Sequence, residues 1–183
     1  MSKFRRRVLK SEFFDRSAVL VAKDLLGKYL VRKIGGKIEK YKIIETEAYE
    51  GVKDKASHAS RGQTERNTPM FGQSGTIYVY FTYGMHWMLN ISCGKKGHPA
   101  AVLIRGVEDC NGPGRVTKKL KIDRKLNGKL LGKKSGLWIK VIGNSEKLKI
   151  LKTPRIGINS AGPIWSKKLY RFVLKDQNEK NKK

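Results

Sequence analysis

Three strand-like segments follow one another through the middle of this 183-residue chain, and they constrain its fold more than any other feature. They span residues 76–83, 85–93 and 99–107. The first is the clearest, because it is aromatic and β-branched and ends at Gly84, whose conformational freedom suits a tight turn. The pattern predicts a domain built around β-strands.

The segments before this centre add one helix and one hairpin. Asp15 or Ser17 can cap a helix that runs to Leu26, because short polar side chains accept hydrogen bonds from the first free N–H groups. Residues 28–34 and 37–49 predict two strands joined by a tight glycine turn. Strands and helices therefore alternate in a mixed pattern.

The segments after the centre are shorter. A Gly-Pro-Gly sequence opens a basic helix over residues 115–122, and residues 137–139 and 155–158 predict short strands. Residues 50–75 have no clear periodicity, which predicts a long loop of the kind that often carries function. We expect one domain over 1–183, with flexible basic tails at 1–12 and 175–183.

Charge narrows the class of partner. The formal net charge is +26, and a charge of that size attracts polyanions such as nucleic acids. Residues 41–110 carry 8 basic and 7 acidic residues, whereas residues 111–140 carry 10 and 1. The nearly neutral middle also holds all three histidines and 8 of the 16 aromatic residues. This distribution indicates a reactive centre inside a phosphate-binding frame, and no apolar run approaches the length of a membrane span.

Two cysteines, Cys93 and Cys110, are too few for a disulfide scaffold. Together with His86 and His98 they could form a zinc site, but no Cys-x-x-Cys pair is present. We therefore expect free thiols, no metal and no cofactor.

Two carboxylates and a tyrosine share one face of the strand over residues 37–49. Side chains alternate along a strand, so Glu45, Glu47 and Tyr49 point one way, while Thr46 and Ala48 point the other. A solvent-exposed strand face would also explain the pattern, but acidic residues are scarce in this chain. An ionised carboxylate beside an aromatic ring can act as a general base on water.

Aromatic side chains form the second candidate group. Tyr78 and Tyr80 share a strand face that could stack on an extruded base. Tyr83, at the strand end, would be pushed outward by the turn and could wedge into a base stack. Arg105 ends an apolar run, and a charge in that position usually has an anionic partner, either a carboxylate or a phosphate.

Seven segments in chain order carry a family resemblance. They are ETEAY at 45–49, RNTPMF at 66–71, GTIYVY at 75–80, YGM at 83–85, NIS at 90–92, VLIR at 102–105 and GPGR at 112–115. The set resembles the alkyladenine (3-methyladenine) DNA glycosylase family from about Leu25 to Phe172. The resemblance implies a single mixed α/β (α+β) domain around a curved antiparallel sheet with flanking helices.

The resemblance also implies a reaction, the excision of alkylated or deaminated purines from double-stranded DNA. The substrate class includes 3-methyladenine, hypoxanthine and ethenoadenine. Glu47 corresponds to the base that activates water, and Arg105 to a residue that helps to hold that water. Asn90 matches a position that screens purines by their exocyclic groups.

The same resemblance assigns the aromatic residues. Tyr49, His58 and Tyr80 correspond to the walls of the base pocket, and Tyr83 to the residue that intercalates where the base has left. Two departures concern His86, where the family often has an aromatic residue, and the Leu-Tyr-Arg-Phe segment at 169–172. The change at His86 affects contacts around the intercalating Tyr83, and the change at 169–172 affects the last strand.

Two alternatives remain open. A bifunctional glycosylase/lyase would use a lysine, and only Lys53 and Lys55 lie within the motif region. A non-enzymatic basic nucleic-acid-binding protein would match the charge but would not explain Glu47 and the aromatic residues. We expect a monomer that acts on DNA, in the cytoplasm at the nucleoid if the source is prokaryotic and in the nucleus if it is eukaryotic.

Overall fold

One long strand, Lys37–Glu50, runs through the middle of a ten-stranded β-sheet and joins its two halves. The computed structural model describes residues 6–143 and 148–175. Every strand pairing within these ranges is antiparallel. The strands are β1 (Arg6–Val8), β2 (Tyr29–Ile34), β3 (Lys37–Glu50), β4 (Ile77–Thr82), β5 (His86–Cys93), β6 (Ala100–Val107), β7 (Cys110–Asn111), β8 (Leu137–Ile142), β9 (Ile150–Thr153) and β10 (Arg171–Leu174).

The strand order explains why β3 is central. Along the sheet the order is β1-β8-β2-β3-β6-β5-β4, with β7 paired to β6 and β9 paired to β10. The first half of β3 pairs with β2. Its second half, from Glu45 to Glu47, pairs with β6 on one edge and with β10 on the other. The ETEAY segment therefore lies where three strands meet.

The described residues form four helices: α1 (Ser11–Phe14), α2 (Ala18–Leu25), α3 (Pro113–Lys119) and α4 (Gly162–Lys167). The first three bury side chains in the main hydrophobic core, on one face of the sheet. The Thr46 hydroxyl donates a 2.8 Å hydrogen bond to the carbonyl oxygen of Ala22, which joins α2 to β3. Ala48 is fully buried in the same core. Within residues 6–143 and 148–175, we find no helix with the length and hydropathy of a membrane span.

The alternation along β3 decides which side chains face away from the core. Thr46 and Ala48 point toward α2, so Glu45, Glu47 and Tyr49 face the opposite side of the sheet. The predicted mixed α+β fold around an antiparallel sheet is confirmed. So is the predicted division of the ETEAY side chains between two faces.

The N-terminal segment differs from the loose tail that the sequence predicts over residues 1–12. Arg6–Val8 form β1 and pair with β8, and α1 begins at Ser11. A three-residue strand depends on a partner that is distant in sequence, so its local pattern does not reveal it. Residues 1–5 and 176–183 of the two predicted tails lie outside the described residues.

A late strand is also placed differently. The sequence predicts a strand over residues 155–158, whereas the strand is Ile150–Thr153. Pro154 has no N–H to donate to a strand partner, and Gly157 has a φ of 74°. The chain therefore leaves the sheet here and forms a loop that reaches β3.

The long loop after β3 has defined local structure. It contains two 3₁₀ helices, His58–Arg61 and Thr68–Phe71. The buried side chain of Asn67 links them, because its amide donates to the carbonyl oxygens of His58 and Gly62. The loop thereby holds His58 beside the exposed face of the sheet.

Candidate active site

A cavity of about 400 Å³ opens on the face of the sheet opposite α2. Strands β3 to β6 contribute its floor, and the loops around residues 55–58 and 156–161 contribute its rim. All seven residues that the sequence analysis assigns to the site line it: Glu47, Tyr49, His58, Tyr80, Tyr83, Asn90 and Arg105. Its volume is that of a small-molecule site.

Glu47 is the buried carboxylate of the cavity. Its side chain has no solvent exposure, and each carboxylate oxygen accepts one hydrogen bond. The Tyr49 hydroxyl donates to Oε2 at 2.9 Å, and the backbone N–H of Ile156 donates to Oε1 at 2.8 Å. Burial raises the pKa of Glu47, although the Arg105 charge and both hydrogen bonds act in the opposite direction. A carboxylate with a raised pKa is a stronger base once it is ionised.

Arg105 has two carboxylate neighbours. Its Nε donates to Oε1 of Glu45 at 2.9 Å, and its Nη1 lies 3.5 Å from Oε1 of Glu47. Arg171 of β10 donates from its own Nε to the same oxygen of Glu45 at 2.6 Å. The sequence allows a carboxylate or a phosphate as the partner of Arg105, and in the structure the partner is a carboxylate.

The ring of Tyr49 packs against the guanidinium of Arg155. The guanidinium carbon of Arg155 lies 4.8 Å from the centre of the Tyr49 ring and 5.3 Å from that of Tyr170, so both rings contact the cation. Arg155 is buried and forms a bidentate ion pair with the buried side chain of Asp54. The segment at 169–172, which departs from the family pattern, therefore supplies Tyr170 and Arg171 to the surroundings of the site.

His58, Tyr78 and Tyr80 form the opposite aromatic wall. The His58 and Tyr80 rings meet edge to face with centres 4.6 Å apart, and Tyr78 and Tyr80 are 5.3 Å apart. Nδ1 of His58 is hydrogen-bonded to the Tyr78 hydroxyl at 2.9 Å. Burial and the nearby Arg66 charge lower the pKa of His58, so the neutral imidazole is favoured at neutral pH.

Asn90 lies on the cavity floor, where β5 pairs with β4. It is directly opposite Tyr78 in the strand register and is 3% exposed. Its side-chain nitrogen lies 3.4 Å from the carbonyl oxygen of Tyr78 and 3.5 Å from that of Met88. Both hydrogen bonds are long, so this amide keeps hydrogen-bonding capacity for a bound base.

Tyr83 occupies the turn between β4 and β5 at the mouth of the cavity. Its side chain is 80% exposed, and its φ of 52° is unusual for a residue with a side chain. The exposure that the sequence predicts for Tyr83 is confirmed. His86, one of the two departures, is exposed beside this turn and packs against Gly114 at the start of α3.

Sequence reasoning missed several members of the site. The sequence predicts that Tyr78 shares the pocket-facing side of its strand with Tyr80 but gives it no role of its own, and it predicts Arg155 and Ile156 on a strand without a role in the site. The alternation of Tyr78 and Tyr80 was a usable signal for the first. No local signal marks Ile156, because its role depends on a backbone N–H that reaches Glu47 across 109 residues of sequence.

The four residues considered as zinc ligands, Cys93, Cys110, His86 and His98, form no metal-binding group in the part of the chain that the structure describes. No group of three or more His, Cys, Asp or Glu side chains that could hold a metal occurs in residues 6–143 and 148–175. Cys93 is buried in the core, and Cys110 is partly buried. His98 instead lies 3.7 Å from Glu50.

Comparison with known proteins identifies the family of this chain. The family model described as methylpurine-DNA glycosylase matches residues 12–109 and 107–178. The chain belongs to the methylpurine-DNA glycosylase family. It is therefore a DNA glycosylase of base excision repair, and it acts on DNA damage as a hydrolase of N-glycosyl bonds.

Relatives of this family member cover nearly its whole length. A protein of Legionella pneumophila (strain Corby) is 40% identical over 177 residues, which are 93% of this chain and 96% of that protein. One from Carboxydothermus hydrogenoformans is 40% identical over 195 residues, 96% of this chain and all of that protein. One from Methanocella arvoryzae is 42% identical and covers 85% and 86% of the two chains. All three are named as candidate 3-methyladenine DNA glycosylases.

Proposed function

We propose that this protein flips an alkylated or deaminated purine out of double-stranded DNA into the cavity and hydrolyses its N-glycosidic bond. The substrate class comprises 3-methyladenine, hypoxanthine and ethenoadenine. One observation carries the proposal, namely a fully buried carboxylate, Glu47, that faces an aromatic cavity in a strongly basic protein. A binding module has no need of an ionisable group held in such a place.

Glu47 is the general base in this proposal. The Tyr49 hydroxyl and the Ile156 N–H occupy one acceptor position on each carboxylate oxygen, and at least one further position on each remains for a water. Glu47 takes a proton from that water as the oxygen attacks C1′, and the C1′–N bond breaks with its electron pair leaving on the purine. The negative charge of Glu47 also stabilises the positive charge that develops on the sugar. Arg105 orients the attacking water from the other side.

The purine is held by stacking and selected by hydrogen bonding. Tyr49, His58 and Tyr80 contact its faces and edges, as aromatic residues do in enzymes that bind flipped bases. Asn90 tests the exocyclic groups from the cavity floor. A 3-methyladenine nucleotide already carries positive charge and departs as a neutral base without general-acid assistance, so a neutral His58 is compatible with its excision.

Tyr83 fills the gap that the flipped nucleotide leaves in the duplex. It is the most exposed of the large hydrophobic side chains at the cavity mouth, and Met85 of the same turn is 66% exposed.

The basic flanks of the sequence contact the phosphates. We propose a monomer without cofactor that works on the DNA of a prokaryotic cytoplasm, in keeping with relatives from Legionella and Carboxydothermus.

The proposal describes a monofunctional enzyme. Lys55 lines the cavity, so a lyase that forms a Schiff base with this lysine is the specific alternative. Borohydride would trap such an intermediate covalently on DNA. We expect no trapped complex on lesion-bearing duplexes, and a complex that disappears in Lys55→Ala would establish the bifunctional reading instead.

A panel of duplexes tests the function directly. Each carries one 3-methyladenine, hypoxanthine, ethenoadenine or undamaged adenine, and released free base is measured under single-turnover conditions. We expect release from at least one damaged duplex and none from undamaged DNA. Tight DNA binding without release of any purine would leave only the non-enzymatic alternative.

A further inference from the structure

Arg105 occupies an irregular position in the sheet. Thr46 pairs with Ile104, but the next pair is Glu45 with Gly106, so the ladder between β3 and β6 skips Arg105. Such a bulge turns a side chain away from the direction that regular pairing would give it. The local strand geometry therefore sets where Arg105 points, before any charge is considered.

Four charged side chains alternate in sign across this bulge. Arg171, Glu45, Arg105 and Glu47 form a row in which each carboxylate has a guanidinium within 3.5 Å. Glu45 accepts from the Nε atoms of both arginines and is 8% exposed. Glu45 is therefore the best-satisfied member, with two short charge-assisted hydrogen bonds.

The two contacts of Arg105 are unequal. Its bond to Glu45 is 2.9 Å, whereas its 3.5 Å approach to Glu47 exceeds the roughly 2.7–3.2 Å of an N–H···O hydrogen bond. A guanidinium and a buried carboxylate this close would normally close into a hydrogen-bonded pair. Arg105 keeps this distance from Glu47 while its Nε is bound to Glu45.

Gly106 makes the position of Glu45 possible. A Cβ at residue 106 would lie 3.1 Å from Cβ of Glu45 and 3.3 Å from its Oε2, tighter than normal packing. A side chain there would displace the Glu45 carboxylate by a few tenths of an ångström. The absence of a side chain at residue 106 and the bulge at Arg105 thus support one arrangement.

We propose that Glu45 is a positioning residue for excision, which holds Arg105 so that it and Glu47 face the same water instead of pairing with each other. This inference rests on the function proposed above. Glu45 does not line the cavity, so its effect on the position of the water is exerted through Arg105. Without Glu45, Arg105 would turn to Glu47, occupy its free lone pair and weaken it as a base.

The inference predicts the direction in which the pH profile of excision shifts when Glu45 is lost. The groups that face Glu47 are Arg105 from β6, Tyr49 and Glu45 from β3, Tyr80 from β4 and the Ile156 N–H from the late loop. A guanidinium that moves closer favours the ionised carboxylate and lowers the pKa of Glu47. Loss of Glu45 therefore moves the acid limb of the kcat/KM profile to lower pH for two reasons: its own negative charge no longer raises the pKa of Glu47, and Arg105 moves closer. Only the second contribution requires Arg105, so the shift should be smaller in the Arg105→Gln background, and kcat falls because Glu47 is a weaker base whose free lone pair is occupied.

The test is a double-mutant cycle of Glu45→Gln and Arg105→Gln, with Glu108→Gln as control. Glu108 pairs with Lys42 at 3.5 Å and is half exposed, so the control removes a carboxylate that does not line the cavity. We expect Glu45→Gln to lower kcat by about tenfold or more, since misplacement of a group by an ångström can cost on the order of a hundredfold. It should leave KM little changed and add no loss in the Arg105→Gln background.

Three results would overturn the inference. They are wild-type kcat and acid limb in Glu45→Gln, losses that multiply in the double variant, or an equal loss in Glu108→Gln. If Glu45→Gln does not fold, Gly106→Ala makes the same test by displacing the carboxylate, and an unshifted acid limb there contradicts the inference. Failure of the wild-type protein to release any purine would instead overturn the proposed function.

Discussion

The hydroxyl of Tyr49 lies 2.9 Å from Oε2 of Glu47 and donates a hydrogen bond to it. The two residues are neighbours on one face of β3, with one residue between them. A wall of the base pocket and the proposed base are thus held in fixed relation by a single strand and a single hydrogen bond. Rigid placement of this kind is what a reaction with a bound water requires.

Glu47→Gln should abolish excision and leave DNA binding nearly unchanged. Glutamine has the same shape, and its carbonyl oxygen can still accept from the Ile156 N–H while its amide donates to the Tyr49 oxygen. Loss of the general base alone removes roughly 10²–10⁴ in rate. Single-turnover base release and titration of a labelled duplex measure the two effects, and wild-type rates in the variant would refute the assignment of Glu47.

The pH profile of excision should depend on Glu47 and respond to Tyr49. The base must be ionised, so the rate rises with pH through the pKa of Glu47, and burial places that pKa above the ordinary value of a glutamate. Tyr49→Phe removes a hydrogen bond to the charged form, which raises the pKa further. We expect the acid limb of kcat/KM to move to higher pH in Tyr49→Phe. A shift to lower pH, or none, would mean that this hydrogen bond does not act on the ionised form.

The sequence predicted this pair because strand alternation is a local property. Glu45, Glu47 and Tyr49 share a face in any regular strand, and the structure keeps them so. The third partner of the same carboxylate could not be predicted. Ile156 donates through its backbone N–H, so its side chain gives no indication of this contact. The contact depends on the turn of the chain toward Glu47 between Pro154 and Gly157. The bulge at Arg105 could not be predicted either, because the register between β3 and β6 depends on two strands that are distant in sequence.

Asp54→Asn should strongly destabilise the fold. Asp54 and Arg155 have no side-chain exposure, and the substitution leaves a buried guanidinium without its charge partner. Removal of one partner from a buried pair costs about 3–5 kcal/mol, which corresponds to a fall in melting temperature of roughly 10 °C or more for a chain of this size. Arg155 also contacts Tyr49, so the cavity wall should loosen with it.

A matched surface pair provides the control for this stability measurement. Arg16 and Asp24 form an ion pair at 2.9 Å, but their side chains are 34% and 44% exposed. Exposed pairs contribute less than about 1 kcal/mol, so Asp24→Asn should change the melting temperature only slightly. Equal shifts of the melting temperature in Asp54→Asn and Asp24→Asn would show that the buried ion pair contributes no more to stability than the exposed one.

Tyr83→Ala distinguishes a wedge from a packing residue. The ring is 80% exposed, so its removal forfeits little buried area, and the φ of 52° disfavours alanine and tyrosine alike. The melting temperature should therefore stay near that of the wild type. A buried aromatic residue would instead cost about 3 kcal/mol or more on truncation to alanine.

Excision by Tyr83→Ala should nevertheless slow, because nothing then fills the stack that the purine has left. Flipping must overcome pairing and stacking worth a few kcal/mol, and it is easiest for bases that pair badly. The defect should accordingly be larger for hypoxanthine opposite cytosine than for hypoxanthine in a mismatch, and Tyr83→Phe, which keeps the ring, should restore most of the rate. Single-turnover excision on both duplexes, beside the melting temperature, makes the comparison. If melting drops sharply while activity per folded molecule is unchanged, Tyr83 is a packing residue; if both duplexes lose equally, the ring contributes something other than stabilisation of the flipped state.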